Sequence, residues 1–296
     1  MRSVKNEIYY NAMMVIGVGF LLVFSIVPMF GVIIAFQDFV PARGMLGSAW
    51  VGLKHFNRMF ALAEVRNVIR NTLVIALSKI ILNIIVPVSF AVLLNELKII
   101  PVKRVVQTVV YLPHFLSWVI LGIMFTNIFS YTGIVNQVLG LFGVPPQMYM
   151  ISNGAFRGII IGTDVWKTFG YGAIIYLAAI TNIDPNVYEA AAIDGAGRWQ
   201  RIWYVTLPSI QSTIVLMSTL ALGSVLNAGF DQIFTMYSPL VYATGDIIDT
   251  YVYRMGITKM QYSFSTAVGL FKSAISFILI TLSYTLANKF ADYTIF

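Results

Sequence analysis

The sequence predicts an all-α, polytopic membrane protein with six transmembrane helices. Composition is the first ground: 58% of the 296 residues are apolar and 10% are charged, where a soluble domain is about one quarter charged. The second is length, because six apolar stretches each reach the roughly 20 residues that a bilayer core requires. The third is continuity, because barrel strands would read as short alternating segments. In hydrocarbon a spanning backbone must satisfy its own hydrogen bonds, so continuous runs become helices.

The first span, 11–36, follows Arg2 and Lys5, and no charge occurs from Ile8 to Gln37. A cleaved signal peptide has a shorter apolar core of about 7–15 residues, so this run reads as an anchor that stays. Between it and the second span lies Trp50-Val-Gly-Leu-Lys-His-Phe-Asn-Arg-Met-Phe60, where Leu53, Phe56 and Phe60 recur at helical spacing. That pattern fits a short helix lying in the interface, or one packed on the protein's own outer face. The remaining spans are 71–94, 105–130, 156–181, 209–230 and 267–289. Pro28, Pro87 and Pro113 fall inside spans and predict kinks, since proline removes a backbone donor. No repeat, soluble linker or second domain is evident, so 1–296 reads as a single transmembrane domain.

The net charge is +7, from 19 basic and 12 acidic residues. The basic residues lie mostly between the apolar runs, as membrane-flanking charge does, and no basic, aromatic-interleaved motif points to nucleic acid. The short loop with Lys98, Lys103 and Arg104 belongs in the cytoplasm, and the uncharged loop up to Phe156 belongs outside. Both termini are therefore expected inside. The segment with Arg43, Lys54, Arg58, Arg66 and Arg70 then falls outside, against that rule. Cysteine is absent, which excludes disulfides and thiolate metal sites. His55 and His114 are far apart, so no metal site is expected, and no nucleophile or acid–base cluster suggests catalysis.

The most informative stretch is 184–208. Asp184-Pro185 is a helix start, a capping side chain followed by proline at the first helical position. Gly195 and Gly197 end the helix, a second short helix begins near Arg198, and Leu207-Pro208 opens the fifth span. Glu189, Asp194, Arg198 and Arg201 charge the loop, while Ala190, Ala191 and Ala192 leave room for a partner surface to approach. From the residues alone, a rigid docking knob and an ordinary capped interfacial loop both fit.

Glu189-Ala190-Ala191, three residues, Gly195, nine residues, then Val205-Thr-Leu207-Pro208 resembles the EAA loop of bacterial ABC importer permeases at every spacing, and Asp194 also fits. Val51-Gly-Leu-x-x-Phe56-x-x-x-Phe60, Asn71-Thr72 and Leu112-Pro113 look like the carbohydrate-uptake branch of that family. The tail 293–296, Tyr-Thr-Ile-Phe, resembles permeases for oligosaccharides such as alginate or pectin fragments.

The resemblance implies a type I importer permease fold with a cytoplasmic coupling helix, in a bacterial cytoplasmic (inner) membrane. Glu189, Ala190, Ala191, Asp194, Gly195 and Arg198 would contact a separate ATPase, with Glu189 the charged contact and Gly195 the turn. The partners would be a second permease subunit, a non-identical homologue, together with two ATP-binding subunits and an extracytoplasmic solute-binding protein. ATP and Mg would be bound by the ATPase subunits and no cofactor by this chain. In agreement, no G-x-x-x-x-G-K-[ST] phosphate loop is present. The alternative is an ion-gradient-driven secondary sugar transporter, which would favour inverted repeats.

Ionisable residues inside spans are costly and default to functional candidates. They are Lys79, Asp164, Lys167, Asp231 and Lys272. Lys79 has a stem long enough to snorkel. Asp164 and Lys167 stand at i and i+3, a spacing that allows a pair on one helix face. Sugars bind through hydrogen bonds at their edges and stacking on aromatic rings. Trp166, Lys167, Tyr171, Asn227 and Asp231 are the expected substrate path, with Lys167 near an acidic sugar. The bland alternative for each is interhelical packing or a membrane belt.

Overall fold

The computed structural model describes residues 4–291. Arg2 and the tail 293–296, both used above, lie outside them. The described chain is helical apart from one two-stranded hairpin and the connecting turns.

The first helix, α1, covers Val4–Leu21 and runs on through a π-turn at Leu22–Ile26 to a 3-10 stretch ending at Phe36. Strands β1 (Gln37–Asp38) and β2 (Ala49–Trp50) pair antiparallel. Then come α2 (Lys54–Ala61), α3 (Ala63–Asn95), α4 (Ile100–Tyr111) and α5 (Trp118–Ile128). They are followed by α6 (Asn153–Thr181), α7 (Pro185–Ile193), α8 (Arg198–Arg201), α9 (Gln211–Leu222), α10 (Phe230–Met236) and α11 (Tyr262–Ala291).

Two compact units emerge: Met1–Ala63 with Tyr251–Phe271, and Glu64–Thr250 with Lys272–Phe296. In the first unit the hairpin is closed by side chains. Ser48 Oγ accepts the Val40 N–H and donates to Gly44 O. Lys54 Nζ donates to Asp38 at 2.6 Å, and this bond holds the Asp38 carboxyl below its usual range. Helix α2 packs inward through Met59 and His55, whereas Leu53 and Phe60 are exposed. The expected Leu53–Phe56–Phe60 face is thus not the buried one, because His55 is drawn in by Gln37 O at 3.1 Å. Phe56 still packs against Phe36.

In the second unit one core joins α3, α5, α6 and α10 through Ile75, Leu121, Phe125, Phe156, Ile160 and Ile233. Another joins α3 and α6 to the segment after α8 through Val88, Val92, Tyr176, Ile180, Ile202 and Ile210. The Asn71-Thr72 pair is a clasp. Asn71 is buried and donates to the carbonyls of Ala243 and Asp246, and Thr72 Oγ1 accepts the Ile248 N–H.

Among the described residues, three helical stretches are long and apolar enough to cross a bilayer: Tyr9–Phe36, Ala63–Asn95 and Tyr262–Ser283. Two of the other expected spans are not straight helices. The third breaks at Leu116–Ser117, where Ile100–Phe115 and Trp118–Ile128 meet at 103°. Pro113 tightens the chain into a 3-10 turn, Leu116 and Ser117 are extended, and Ser117 caps α5 by accepting the Ile120 N–H. The fifth ends early, since α9 stops at Leu222 and residues 223–229 are non-helical before α10. With its preceding helix, Arg198–Ser209, α9 makes a second bent pair at 57°. Helix α6 has 29 residues, enough length to cross, but Arg157, Asp164 and Lys167 dilute its apolar character.

The kink expected at Pro28 takes a specific form, repeated at Pro208. In each case a π-turn, Leu22–Ile26 or Ile202–Thr206, ends two residues before the proline. A widened turn accommodates the carbonyl that the ring would otherwise strike. Pro87 lies inside α3 without interrupting it.

Candidate coupling segment and cavity

Helix α7 is built as its sequence dictates. The Asp184 carboxylate accepts the Asn186 N–H at 2.9 Å, and Pro185 opens the first turn. At the other end Gly195 has φ +81°. The Gly195 N–H donates to Ala192 O (3.1 Å) and the Ala196 N–H to Ala191 O (2.9 Å). This paired capping requires a left-handed residue, which glycine adopts without a Cβ penalty. The following α8 is capped when Gln200 Oε1 accepts the Gly197 N–H at 2.7 Å.

The segment is tied to the body at two points. The Tyr188 hydroxyl and Thr206 Oγ1 lie 2.9 Å apart, with Thr206 buried, and Arg198 Nε is 4.0 Å from Glu96. Glu189, Ala190, Asp194, Gly195 and Arg198 are exposed and Ala191 is half-buried. The six predicted coupling residues therefore form one continuous protrusion, with Ile193 (86% exposed) at its tip.

The predicted substrate-path residues divide into two groups. Asn227 lines a cavity of about 330 Å³ with Lys79, Asn83, Asp164, Tyr176 and Ser224. Trp166, Lys167 and Tyr171 instead meet the broken third span. Lys167 Nζ lies 4.7 Å from the Trp118 ring centre, and Tyr171 stacks on His114 at 4.0 Å and 4°. Trp166 packs edge-on against Phe125. Asp231 is exposed in the first turn of α10.

Asp164 does not pair with Lys167. Its partner is Lys79 on α3, at 3.0 Å, with both side chains largely buried. Lys79 also donates to Ala228 O (2.8 Å) and Gln232 Oε1 (2.5 Å), which uses all three ammonium protons. Asn83 Nδ2 donates to Asp164 Oδ2, Thr168 Oγ1 donates to Asn83 Oδ1, and Gln232 Nε2 donates to Ile160 O and Thr163 Oγ1. Lys79 is therefore the hub of a satisfied polar network and not a snorkelling side chain. It holds the non-helical stretch before α10, where Gly229 takes φ +93°. Lys272 pairs with Asp249.

A family described as "Binding-protein-dependent transport system inner membrane component" matches residues 83–292. The chain belongs to that family. The polygalacturonan/rhamnogalacturonan transport system permease protein YteP of Bacillus subtilis (strain 168) is 41% identical over 289 residues, 97% of this chain and 90% of the relative. A solved bacterial ABC transporter involved in the import of the acidic polysaccharide alginate superposes with a TM-score of 0.90 at 33% identity, covering 98% of each chain. A bacterial alginate ABC transporter in complex with an alginate pentasaccharide-bound periplasmic protein gives 0.89 at 32% identity, covering 97% of this chain and 96% of that one.

Within this inner-membrane component, sequence reasoning missed the Lys79–Asp164–Gln232 network and the His114–Tyr171 stack. The signal for the first was an unexplained lysine inside an apolar run. The second carried none, because it depends on the break after Pro113.

Proposed function

We propose that this chain forms half of the translocation pore of an ATP-driven oligosaccharide importer, crossing the bacterial inner membrane six times with both termini in the cytoplasm. The six crossings would be α1, α3, α6, α11 and the two bent pairs. The protrusion at α7 carries the reading: a short, doubly capped helix presents Glu189 and Ala190 outward and is anchored through Tyr188 to the π-turn beneath the fifth span. Such a lever transmits the movement of a separate ATP-hydrolysing subunit, which would bind ATP and Mg. A second permease subunit completes the pore, and a solute-binding protein delivers the sugar outside. The cavity at Asn227 and the Trp166–Lys167–Tyr171 face would form its path, where aromatic faces stack on the sugar and polar edges take its hydroxyls.

The test is reconstitution with the second permease and the ATP-hydrolysing subunits in liposomes. ATP-dependent oligosaccharide uptake that requires both, and ATP hydrolysis stimulated by loaded binding protein, are the expected results. Uptake by this chain alone, driven by an ion gradient without nucleotide, would return the ion-coupled transporter as the correct description.

A further inference from the structure

Lys272 lies inside the part of α11 that is apolar enough to span, Tyr262–Ser283, and it pairs with Asp249 on the short helix Ile248–Tyr253. A charge at that depth is costly and by default faces a water-filled path. The pair differs from Lys79–Asp164, whose side chains are 7% and 15% exposed and whose ammonium protons are all used. The Lys272 and Asp249 side chains are 21% and 25% exposed. Among the described residues, Asp249 Oδ1 is the only acceptor for Lys272 Nζ, and Asp249 Oδ2 accepts no hydrogen bond. Two ammonium protons and one carboxylate oxygen are left uncommitted.

These groups line a second cavity, of about 520 Å³, between α11, the short helix and the non-helical stretch 223–229. Ligand pockets are roughly 300–1,000 Å³. Ser224, Asn227 and Ser276 also line it, Phe230 adds an apolar wall, and all of these residues belong to the second unit. Ser276 follows Lys272 at i+4, on the same face of α11. Among the described residues, neither the Asn227 side-chain amide nor the Ser276 hydroxyl has a hydrogen-bond partner. Uncommitted polar groups from three elements therefore converge on one space. Ser224 and Asn227 line the cavity at Asp164 as well, so the two cavities adjoin along the stretch that Lys79 holds.

We propose that the second cavity is a sugar-ring subsite that reads hydroxyl groups, adjoining the first so that successive rings of one oligosaccharide occupy the two. This rests on the importer reading above and adds a site and the chemistry it recognises. A hydroxyl both donates and accepts. One hydroxyl of a vicinal diol can therefore donate to Asp249 Oδ2 while its neighbour accepts from Lys272 Nζ. The Asn227 amide and the Ser276 hydroxyl take further ring oxygens, and Phe230 covers a C–H face. The ion pair carries no net charge, and Asp249 repels a carboxylate placed beside it, so the site favours hydroxyls over acid groups. Capture from solution stays with the binding protein, and the subsite acts after delivery.

The test uses the full reconstituted complex with its binding protein and trigalacturonate as the probe. A Ser276→Cys thiol, followed by mass spectrometry, is expected to react with a small water-soluble methanethiosulfonate in the assembled complex. Loaded binding protein with ATP should slow that reaction about tenfold relative to unloaded binding protein with ATP, the occupancy ratio of a filled site. A thiol inert in the complex but reactive in the isolated chain would show a partner subunit filling the cavity. A thiol inert in both would show lipid there. Either result, or a reactive thiol without protection, would overturn the proposal. D249L/K272M is expected to lower the maximal uptake rate about tenfold and Ser276→Ala about fivefold, with KM unchanged. D249N/K272Q keeps donors and acceptors without charge and should stay within about twofold of the parent. Unchanged uptake in D249L/K272M, or equal loss in D249N/K272Q, would overturn the reading of hydroxyls. Absence of ATP-dependent uptake by the parental complex would instead defeat the importer reading and the subsite with it.

Discussion

Replacing Glu189 with lysine is expected to leave the chain folded and inserted while abolishing ATP-driven transport. Glu189 is exposed on α7, and among the described residues it has no hydrogen-bond or ion-pair partner. Exposed substitutions of that kind change stability by about 0.5 kcal/mol or less. Neither the Asp184 cap, the Gly195 turn nor the Tyr188–Thr206 contact involves its side chain. If Glu189 is the charged contact buried on docking, reversing its sign removes about 2 kcal/mol or more of association free energy. That is roughly 30-fold in affinity. The complex should then hydrolyse ATP without responding to loaded binding protein, or fail to retain the ATP-hydrolysing subunit. Co-purification and ligand-stimulated hydrolysis read this out, with the thermal melting of the chain in detergent as the folding control. Full uptake by the variant would remove Glu189 from the coupling surface.

The second large effect is expected at Lys79. Its ammonium compensates Asp164, whose side chain is 15% exposed, and also holds Ala228 and Gln232. Removing one partner of a buried pair leaves the other charge uncompensated, a loss of about 3–5 kcal/mol. Lys79→Met should therefore melt at markedly lower temperature. The double change Lys79→Met with Asp164→Leu should recover much of the loss, since apolar replacement of a whole buried pair is often close to neutral. Transport should stay impaired in the double variant, because the stretch carrying Asn227 is no longer held by Lys79. A single variant as stable as the parent would show that Asp164 finds another partner.

Much of this architecture was legible in the sequence because it is written locally. Asp184-Pro185 and Gly195 are start and stop signals whose physics lies within one turn, and both act as read. The helices α1, α3 and α11 follow from long apolar runs, broken by charge within the spans only at Lys79 in α3 and at Lys272 and Lys289 in α11. The failures occur where distant residues decide. Counting apolar residues carried the fifth span to Phe230, although Gly223, Ser224, Asn227 and Gly229 were available breakers. The helix ends at Leu222, and Lys79, far away in sequence, holds the freed backbone. Asp164 was matched to Lys167 because a helix makes i and i+3 neighbours, but the interhelical lysine on α3 takes it. Pro113 signalled a kink, and the full 103° turn depends further on extended Leu116 and the Ser117 cap. The Trp166–Lys167–Tyr171 face is organised by that turn, so its partners His114 and Trp118 could not be paired from spacing.

The position of the α7 protrusion can be measured directly because the chain contains no cysteine. A single Ile193→Cys substitution puts one thiol at its exposed tip. A membrane-impermeant maleimide is expected to label it in inside-out vesicles and not in right-side-out ones. Addition of the ATP-hydrolysing subunits should protect it, and a short bifunctional reagent should join it to them. Labelling from the outer side, or a thiol that stays equally reactive in the assembled complex and never cross-links to those subunits, would contradict the coupling role.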